Sequence, residues 1–201
     1  MIDVKTDMRN ITQIGRFMSL GRSLALCMVL GSAALTAVPS AASAQTNQVT
    51  DSQTVGSWSV RCYRAGPIAC DMTQIDVDRT RNVLVASVSI SYDPKSDVYL
   101  GRFLLPLGVS FDQGMTLEIG GFIAQNIKFR VCGRDGCLVM NPLPLQLIQA
   151  MQAGGSTKGA MRAAYIDGRK FEIPILLNGF SEGLDILKKK TAEKLAAADK
   201  K

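Results

Sequence analysis

Residues 84–92 read Leu-Val-Ala-Ser-Val-Ser-Ile-Ser-Tyr, an alternation of apolar and small polar side chains. The apolar positions are Leu84, Ala86, Val88, Ile90 and Tyr92, and the serines between them are Ser87, Ser89 and Ser91. Successive side chains of a strand point to opposite faces of the sheet, so these two sets lie on opposite faces. The segment is therefore predicted to be an antiparallel strand with one face in the core and the other towards solvent.

The same period of two continues from Val55 to about residue 177. Further strands are predicted at 58–63, 69–77, 98–105, 115–119, 123–132, 137–140, 161–165 and 170–177. Turn residues separate them, and Asp167-Gly168 between two strand patterns is typical of a hairpin. Short strands at this spacing predict a mainly β fold, either an antiparallel β-sandwich or a barrel-like sheet.

Two segments depart from this period and are predicted to be helical. A short helix is expected at 144–152, with Pro144 in its first turn and Gly154 beyond its end. A C-terminal helix begins near Ser181 and has a narrow apolar stripe together with the basic run 188–190. Such a helix allows peripheral association with a membrane surface, but docking of the stripe on the sheet, with solvated lysines, is the favoured interpretation.

The N-terminal segment has the pattern of a secretory signal peptide. Arg16 and Arg22 precede an uncharged run at 23–38, and small residues follow up to Ala44. Signal peptidase accepts an A-x-A arrangement of this kind, which predicts cleavage between Ala44 and Gln45. An uncleaved anchor is disfavoured, because the 16 residues of the run are short for a span of roughly 20. We therefore expect an exported protein.

Composition narrows the functional classes. The chain has 201 residues, a formal charge of +6 and no histidine, which removes Ser/His/Asp triads, Cys/His dyads and imidazole metal ligands. Residues 1–44 hold four basic and two acidic side chains, so the remaining 157 residues hold 19 and 15, a net charge of +4. That balance is ordinary for a soluble surface and does not predict nucleic-acid binding.

Four of the five cysteines follow residue 44, namely Cys62, Cys70, Cys132 and Cys137. In an exported protein they indicate two disulfides, for which three connectivities are open. The spacing favours pairing Cys62 with Cys70 and Cys132 with Cys137, because each pair flanks turn residues. Closing loops this short stabilises the fold by roughly 2 to 3 kcal/mol each. A four-thiolate zinc site is disfavoured, since the spacings differ from those of zinc knuckles.

No catalytic, metal or cofactor site is predicted from these residues. Arg130 and Arg134 flank the turn at Cys132 and, together with Trp58, are the candidate binding surface. The simpler interpretation of the two arginines is a solvated hairpin tip.

Three stretches, taken in order, carry a family resemblance. They are Gly56-Ser57-Trp58-Ser59-Val60-Arg61-Cys62 followed by Cys70, then Phe129-Arg130-Val131-Cys132-Gly133-Arg134-Asp135-Gly136-Cys137, then Leu176-Leu177-Asn178-Gly179-Phe180. This order resembles the invasion-associated locus B family of exported alphaproteobacterial proteins. The resemblance implies a β-rich protein of the periplasm, associated with the outer membrane or secreted in some cases. Some members are linked to host-cell invasion, and the family supplies no established catalytic residues.

The chain accordingly divides into four parts. They are a signal peptide at 1–44, a flexible leader at 45–54, a single β-rich domain resembling this family at 55–190, and a Lys- and Ala-rich tail at 191–201.

Two functions remain open. The favoured one is a non-enzymatic envelope module that binds an unidentified envelope or host protein, or a glycan, through a sheet face or the loops near the disulfides. The alternative is a small-ligand carrier or hydrolase whose site gathers Asp, Glu, Arg and Tyr side chains. A deep pocket with two carboxylates or a buried arginine would favour the alternative, and a filled interior with an exposed apolar patch would favour the binding module.

Overall fold

The computed structural model describes residues 48–78, 80, 83–154 and 158–198. The elements, in chain order, are β1 (Val49–Val55), β2 (Trp58–Tyr63), β3 (Cys70–Asp78), β4 (Val83–Asp93), β5 (Val98–Leu105), β6 (Met115–Ile119), β7 (Phe122–Ile127), β8 (Val131–Gly133), β9 (Gly136–Leu143), α1 (Leu145–Ala153), β10 (Lys158–Ala164), β11 (Lys170–Leu176) and α2 (Phe180–Ala198). The predicted signal peptide and its cleavage point at Ala44 and Gln45 lie outside the described residues.

The strands form two antiparallel sheets. The large sheet has the order β1-β2-β3-β4-β5-β9-β8, and the small sheet has the order β11-β10-β6-β7. Apolar side chains from both sheets and both helices share one core. The mainly antiparallel β fold predicted from the sequence is confirmed; it is the two-sheet form, because neither described sheet closes into a barrel.

Strand β4 shows how the alternating pattern places its residues. Ala86, Val88 and Ile90 are buried in the core. Ser89 and Ser91 point the other way, and the register sets Ser89 opposite Thr73 of β3. The apolar side chains are removed from water while the hydroxyls remain available for hydrogen bonds on the outer side of the sheet.

The single strand expected at 123–132 is wrong, because the chain changes sheets within it. Strand β7 belongs to the small sheet and β8 to the large one. Near the end of β7, Asn126 has φ +55°, and Phe129, between the two strands, is buried in the core. A positive φ and a buried aromatic anchor redirect the chain, while the alternation of side chains on both sides of the bend conceals it.

Helix α2 docks on the inner side of the large sheet, as the favoured interpretation of its stripe predicts. Phe180, Leu184 and Leu187 are buried, whereas Lys188 and Lys189 are exposed. The apolar side of the helix is thus used in the core, and membrane association through this helix would depend on its lysines alone. Among the described residues, no helix is long and apolar enough to cross a membrane.

Both ends of the domain differ from the expected boundaries. Residues 49–54, expected in a flexible leader, belong to β1 and pair with β2. Every side chain of β1 except Val55 is exposed, so the strand is held by backbone pairing. Its polar sequence therefore lacks the apolar alternation from which a strand could be predicted. At the other end, α2 continues to Ala198 with Thr191 buried, so residues 191–198 extend the helix.

The two ends of the domain meet at one contact, which we call the joint and which comprises Gly56, Trp58, Leu176, Gly179 and Phe180. Trp58 is fully buried, and its Nε1 donates a hydrogen bond to the Leu176 carbonyl oxygen at 2.9 Å. Its ring meets the Phe180 ring edge to face, with centroids 5.4 Å apart. The joint fixes the β1–β2 turn to the start of α2.

The two glycines of the joint are required by close backbone approach. Gly56 has φ +56° and Gly179 has φ +80°. A Cβ atom at Gly56 would lie 2.5 Å from the carbonyl oxygen of Asn178, and one at Gly179 would overlap the carbonyl oxygen of Val55. Only glycine satisfies both the positive φ and the lack of space.

Candidate functional site

The outer side of the large sheet, which we call the open face, points away from the core. Helix α2 packs on the inner side of β1 to β4, and within the described residues neither helix packs on the open face. Arg61 on β2, Asp71 on β3, Ser89 on β4 and Arg102 on β5 stand near its centre. Because these residues come from four adjacent strands, only the sheet brings them together.

Asp71 is the centre of a cluster that also contains Arg61, Tyr63, Ser89 and Arg102, with Thr73 beside them; we call it the Asp71 cluster. The Asp71 side chain is only 4% exposed. Its Oδ2 accepts hydrogen bonds from Ser89 Oγ at 2.7 Å and from Arg102 Nη2 at 3.0 Å. A buried carboxylate is tolerated when it is paired and hydrogen-bonded in this way.

The second oxygen of the carboxylate faces β2. Asp71 Oδ1 accepts a hydrogen bond from the Tyr63 hydroxyl at 2.9 Å and lies 3.4 Å from Arg61 Nε. Arg61 Nη2 also donates to Thr73 Oγ1 at 2.8 Å. The arginines remain 28% and 25% exposed in their side chains, so the guanidinium groups are held in place and still reach solvent.

Tyr63 is electrostatically coupled to this carboxylate. Partial burial, and then the negative charge and hydrogen-bond acceptance of Asp71, raise the pKa of Tyr63 above its usual value. The neutral hydroxyl is therefore the form that the folded protein prefers, and it remains a donor to Asp71 over a wider pH range.

One row across the open face is apolar. The register places Ile75, Leu104, Leu138 and Val131 side by side on strands β3, β5, β9 and β8, with Ser87 between the first two. We call these four residues the apolar row. Ile75 is 53% exposed and Val131 is 55% exposed. Large apolar side chains exposed beside fixed arginines are typical of interaction surfaces.

Trp58, expected on a binding surface, is not on one. It has no exposed surface and belongs to the joint. Its large ring contributes to the core, and its indole N–H is satisfied by a backbone carbonyl, so nothing of it is left for a ligand.

The two arginines predicted with Trp58 lie at the far edge of the large sheet. Arg130 and Arg134 are both exposed. Arg130 Nε donates to the Met140 carbonyl oxygen at 3.4 Å. Arg130 precedes the first residue of β8, and Met140 is a part of β9 that does not pair with β8. Arg134 lies in the turn between β8 and β9. The structure does not bring these side chains together with Trp58.

Both disulfides have the local pairing predicted from the spacing. Cys62 bonds to Cys70 and Cys132 bonds to Cys137. In each case the two cysteines are direct partners on adjacent antiparallel strands. The first bond is buried beneath the sheet, whereas Cys132 of the second is exposed at its edge.

A second candidate lies on the outer side of the small sheet. A shallow concavity of about 570 Å³ contains Arg162 between Glu118 and Glu172. Arg162 bonds to Glu118, and its Nε lies 2.7 Å from Glu172 Oε2. The two glutamates are 43% and 55% exposed, and both are bound to the same guanidinium. Neither has the enclosed environment in which enzymes prepare a general acid or base.

Metal ligation has no support in the described part of the chain, which contains no group of three or more acidic or cysteine side chains able to hold an ion. The Asp71 cluster instead offers guanidinium and hydroxyl donors around one carboxylate. Such a set of groups can bind an anionic or hydroxylated ligand.

Comparison with known proteins agrees with this architecture. The family model described as invasion associated locus B (IalB) protein matches residues 58–188. Among solved structures, the chain is similar to the crystal structure of invasion associated protein b from Bartonella henselae, with 26% sequence identity and a TM-score of 0.59, over 70% of this chain and 97% of that one. No curated protein matches the chain. Because the family model spans more than half of the sequence, from Trp58 to Lys188, the chain belongs to the invasion associated locus B family.

Proposed function

We propose that this protein is an exported, non-enzymatic envelope protein that binds a partner through the open face of its large sheet. The observation that carries the proposal is the composition of that face, where the apolar row runs beside the Asp71 cluster. The exposed aliphatic side chains can be removed from water when a partner binds, and the immobilised arginines can make specific polar contacts with it.

Export is supported by the cysteines. Cysteines that pair as direct partners on adjacent strands, as in this fold, form lasting disulfides in oxidising compartments. We expect a periplasmic protein, in some states associated with the outer membrane or secreted. N-terminal mass spectrometry of the mature protein should find Gln45 as its first residue, and a mature chain in which Gln45 is internal would contradict the cleavage.

The alternative of a ligand carrier or hydrolase would use the concavity around Arg162. Its shallow shape leaves a small molecule largely in water, and its two carboxylates are neutralised by one arginine. Small-molecule sites are instead enclosed and mostly apolar. A role in binding a macromolecule through the open face accounts better for the described surfaces.

Site-specific photo-crosslinking in intact cells tests which surface binds. A photoreactive residue at position 75 or 131 is placed in the apolar row, and a matched one at position 123 is placed on β7 of the small sheet, where Ile123 is 56% exposed. We expect discrete crosslinked products from positions 75 and 131 and none from position 123. Equal products from all three positions, or products from position 123 alone, would contradict the proposal.

A further inference from the structure

The Asp71 cluster carries an excess of positive charge. Arg61 and Arg102 converge on a single carboxylate, that of Asp71, and Tyr63 contributes a neutral hydroxyl. A second carboxylate on this face, that of Asp93 at the end of β4, is engaged in its own turn by Ser96 Oγ and the Lys95 N–H. One positive charge therefore remains uncompensated at a place where side chains are mostly removed from water.

Each of the two guanidinium groups makes its described side-chain hydrogen bonds through a single nitrogen atom, Nη2. Arg61 donates through Nη2 to Asp71 and Thr73, and Arg102 donates through Nη2 to Asp71 and Ser89. The Nε atoms of both arginines are buried, and that of Arg61 lies 3.4 Å from Asp71 Oδ1, so any bond to a ligand would be made by the outer nitrogens of the guanidinium groups. Each guanidinium has five N–H donors in a planar fork that matches an anionic oxygen pair.

Hydroxyl groups surround these arginines. Serine and threonine side chains of strands β1 to β4 share the open face with them, and six of these lie on the side away from the apolar row. They are Ser52, Thr54, Ser59, Thr73, Ser89 and Ser91. Short hydroxyl side chains on a flat sheet can donate to and accept from the hydroxyl groups of a sugar chain that lies across them.

We propose that the open face binds an acidic polysaccharide, with a carboxylate or other anionic substituent of the sugar chain held between Arg61 and Arg102. This inference rests on the proposed function, because it names the ligand class of the same face. The hydroxyl-rich half of the face contacts the sugar backbone. Apolar side chains also lie beside the pair, because Leu104 is next to Arg102 on the outer side of β5, and membrane-binding surfaces carry apolar side chains next to their cations. A phospholipid surface is therefore the competing ligand that the experiment has to distinguish.

The experiment measures binding of three probes to the purified, oxidised protein by isothermal titration calorimetry at low salt. The probes are polygalacturonate, uncharged dextran and phosphatidylglycerol vesicles. We expect binding of polygalacturonate and none of dextran. Arg61→Gln and Arg102→Gln should each weaken that binding by about tenfold or more, because a hydrogen bond to a charged group is lost. Arg162→Gln, on the small sheet, should leave it unchanged.

A measurement on the unaltered protein keeps the test decisive if the variants are unstable. Polygalacturonate should shift the backbone amide NMR signals of Thr73 and Ser89 and leave that of Arg162 unmoved. No preference over dextran, equal weakening by Arg162→Gln, or binding to the vesicles alone would overturn the inference. If crosslinks form through positions 75 and 131 while polygalacturonate does not bind, the binding face stands and the acidic polysaccharide is excluded.

Discussion

The joint and the Asp71 cluster are both built on β2, yet they differ in what surrounds them. At the joint, Trp58 is enclosed by backbone and by Phe180, and two glycines are needed for the chain to fit. In the Asp71 cluster, the carboxylate is enclosed but Arg61 and Arg102 still reach solvent. The two aromatic side chains of the joint are fully buried and cannot be reached by a ligand. In the Asp71 cluster, the buried carboxylate holds the two arginines in place while their guanidinium groups remain accessible to solvent.

This difference concerns the stretches of sequence that carry the family resemblance. The first and last stretches of the family resemblance, around Trp58 and around Gly179, meet at the joint and are used in folding. Asp71 and Arg102 lie outside the three stretches, whereas Arg61 lies in the first stretch and Val131 of the apolar row lies in the second. The stretches at the joint thus hold the fold together, whereas most of the proposed binding surface could be identified only from the structure.

The largest effect is expected at the joint, for Gly179→Ala. The new methyl group would overlap the Val55 carbonyl oxygen in a left-handed conformation, so we expect a loss of about 3 kcal/mol or more in the free energy of unfolding. Urea denaturation measures it. Gly168→Ala is the matched control, since Gly168 has φ +86° with nothing near its Cβ position, and should lose only about 1 kcal/mol. Equal losses would show that the joint imposes no steric requirement.

The next effect tests whether the Asp71 cluster is itself part of the stability of the fold. Asp71→Asn keeps the shape and removes the charge, which leaves two partly buried guanidinium groups without their counterion. We expect a loss of about 2 to 4 kcal/mol, somewhat below the value for a fully buried pair because the arginines reach water. Denaturation at neutral pH provides the measurement. A variant as stable as the unaltered protein would mean that water already compensates these charges.

Tyr63→Phe should have a smaller effect with a characteristic pH dependence. Removing the hydroxyl takes one donor from Asp71 and should cost about 1 to 2 kcal/mol. Because the pKa of Tyr63 is raised in the folded state, the unfolded chain ionises first as the pH rises above about 10, and stability falls there. The variant lacks the tyrosine and therefore lacks its contribution to the loss of stability at high pH. Its free energy of unfolding should fall less steeply than that of the unaltered protein between neutral pH and about pH 11. If the two proteins lose stability equally with rising pH, Tyr63 is not coupled to Asp71.

The smallest effect is expected for Arg162→Gln on the small sheet. Its guanidinium pairs with two glutamates, but all three side chains are well exposed. Exposed ion pairs contribute little, because water and salt screen them. Thermal unfolding should therefore be unchanged within error. A clear loss would show that burial is not what distinguishes the two arginine clusters.

Much of this architecture was predictable, because the alternation at 84–92 separates a core side from an outer side before any coordinates are known. The local disulfide pairs followed from spacing and turn residues in the same way. Strand β1 was missed because its polar side chains are exposed and only its backbone pairs. The break between β7 and β8, at residues 128–130, was missed because one alternation runs through strands of different sheets.

The Asp71 cluster could not be predicted from the sequence, because the pattern of each strand gives no information about its neighbours. Each member stands at an outward position of its own strand, where a polar residue is ordinary. Their meeting depends on the register between β2, β3, β4 and β5, which fixes Arg61 opposite Asp71 and Ser89 opposite Arg102. A partial signal exists in the two charged residues flanking the first disulfide, Arg61 beside Cys62 and Asp71 beside Cys70, because that bond sets their register.

The hydrogen bond from Trp58 to Leu176 spans 118 positions of the chain. During synthesis, the N-terminal strands emerge long before the segment that completes their packing. The strands of the large sheet can begin to pair and both disulfides can close in that interval. The Trp58 side chain, however, cannot be fully packed until Phe180 has been synthesised. Completion of folding is therefore tied to delivery of the last part of the chain, and a nascent chain stalled short of Leu176 should remain sensitive to proteases however many of its strands have formed.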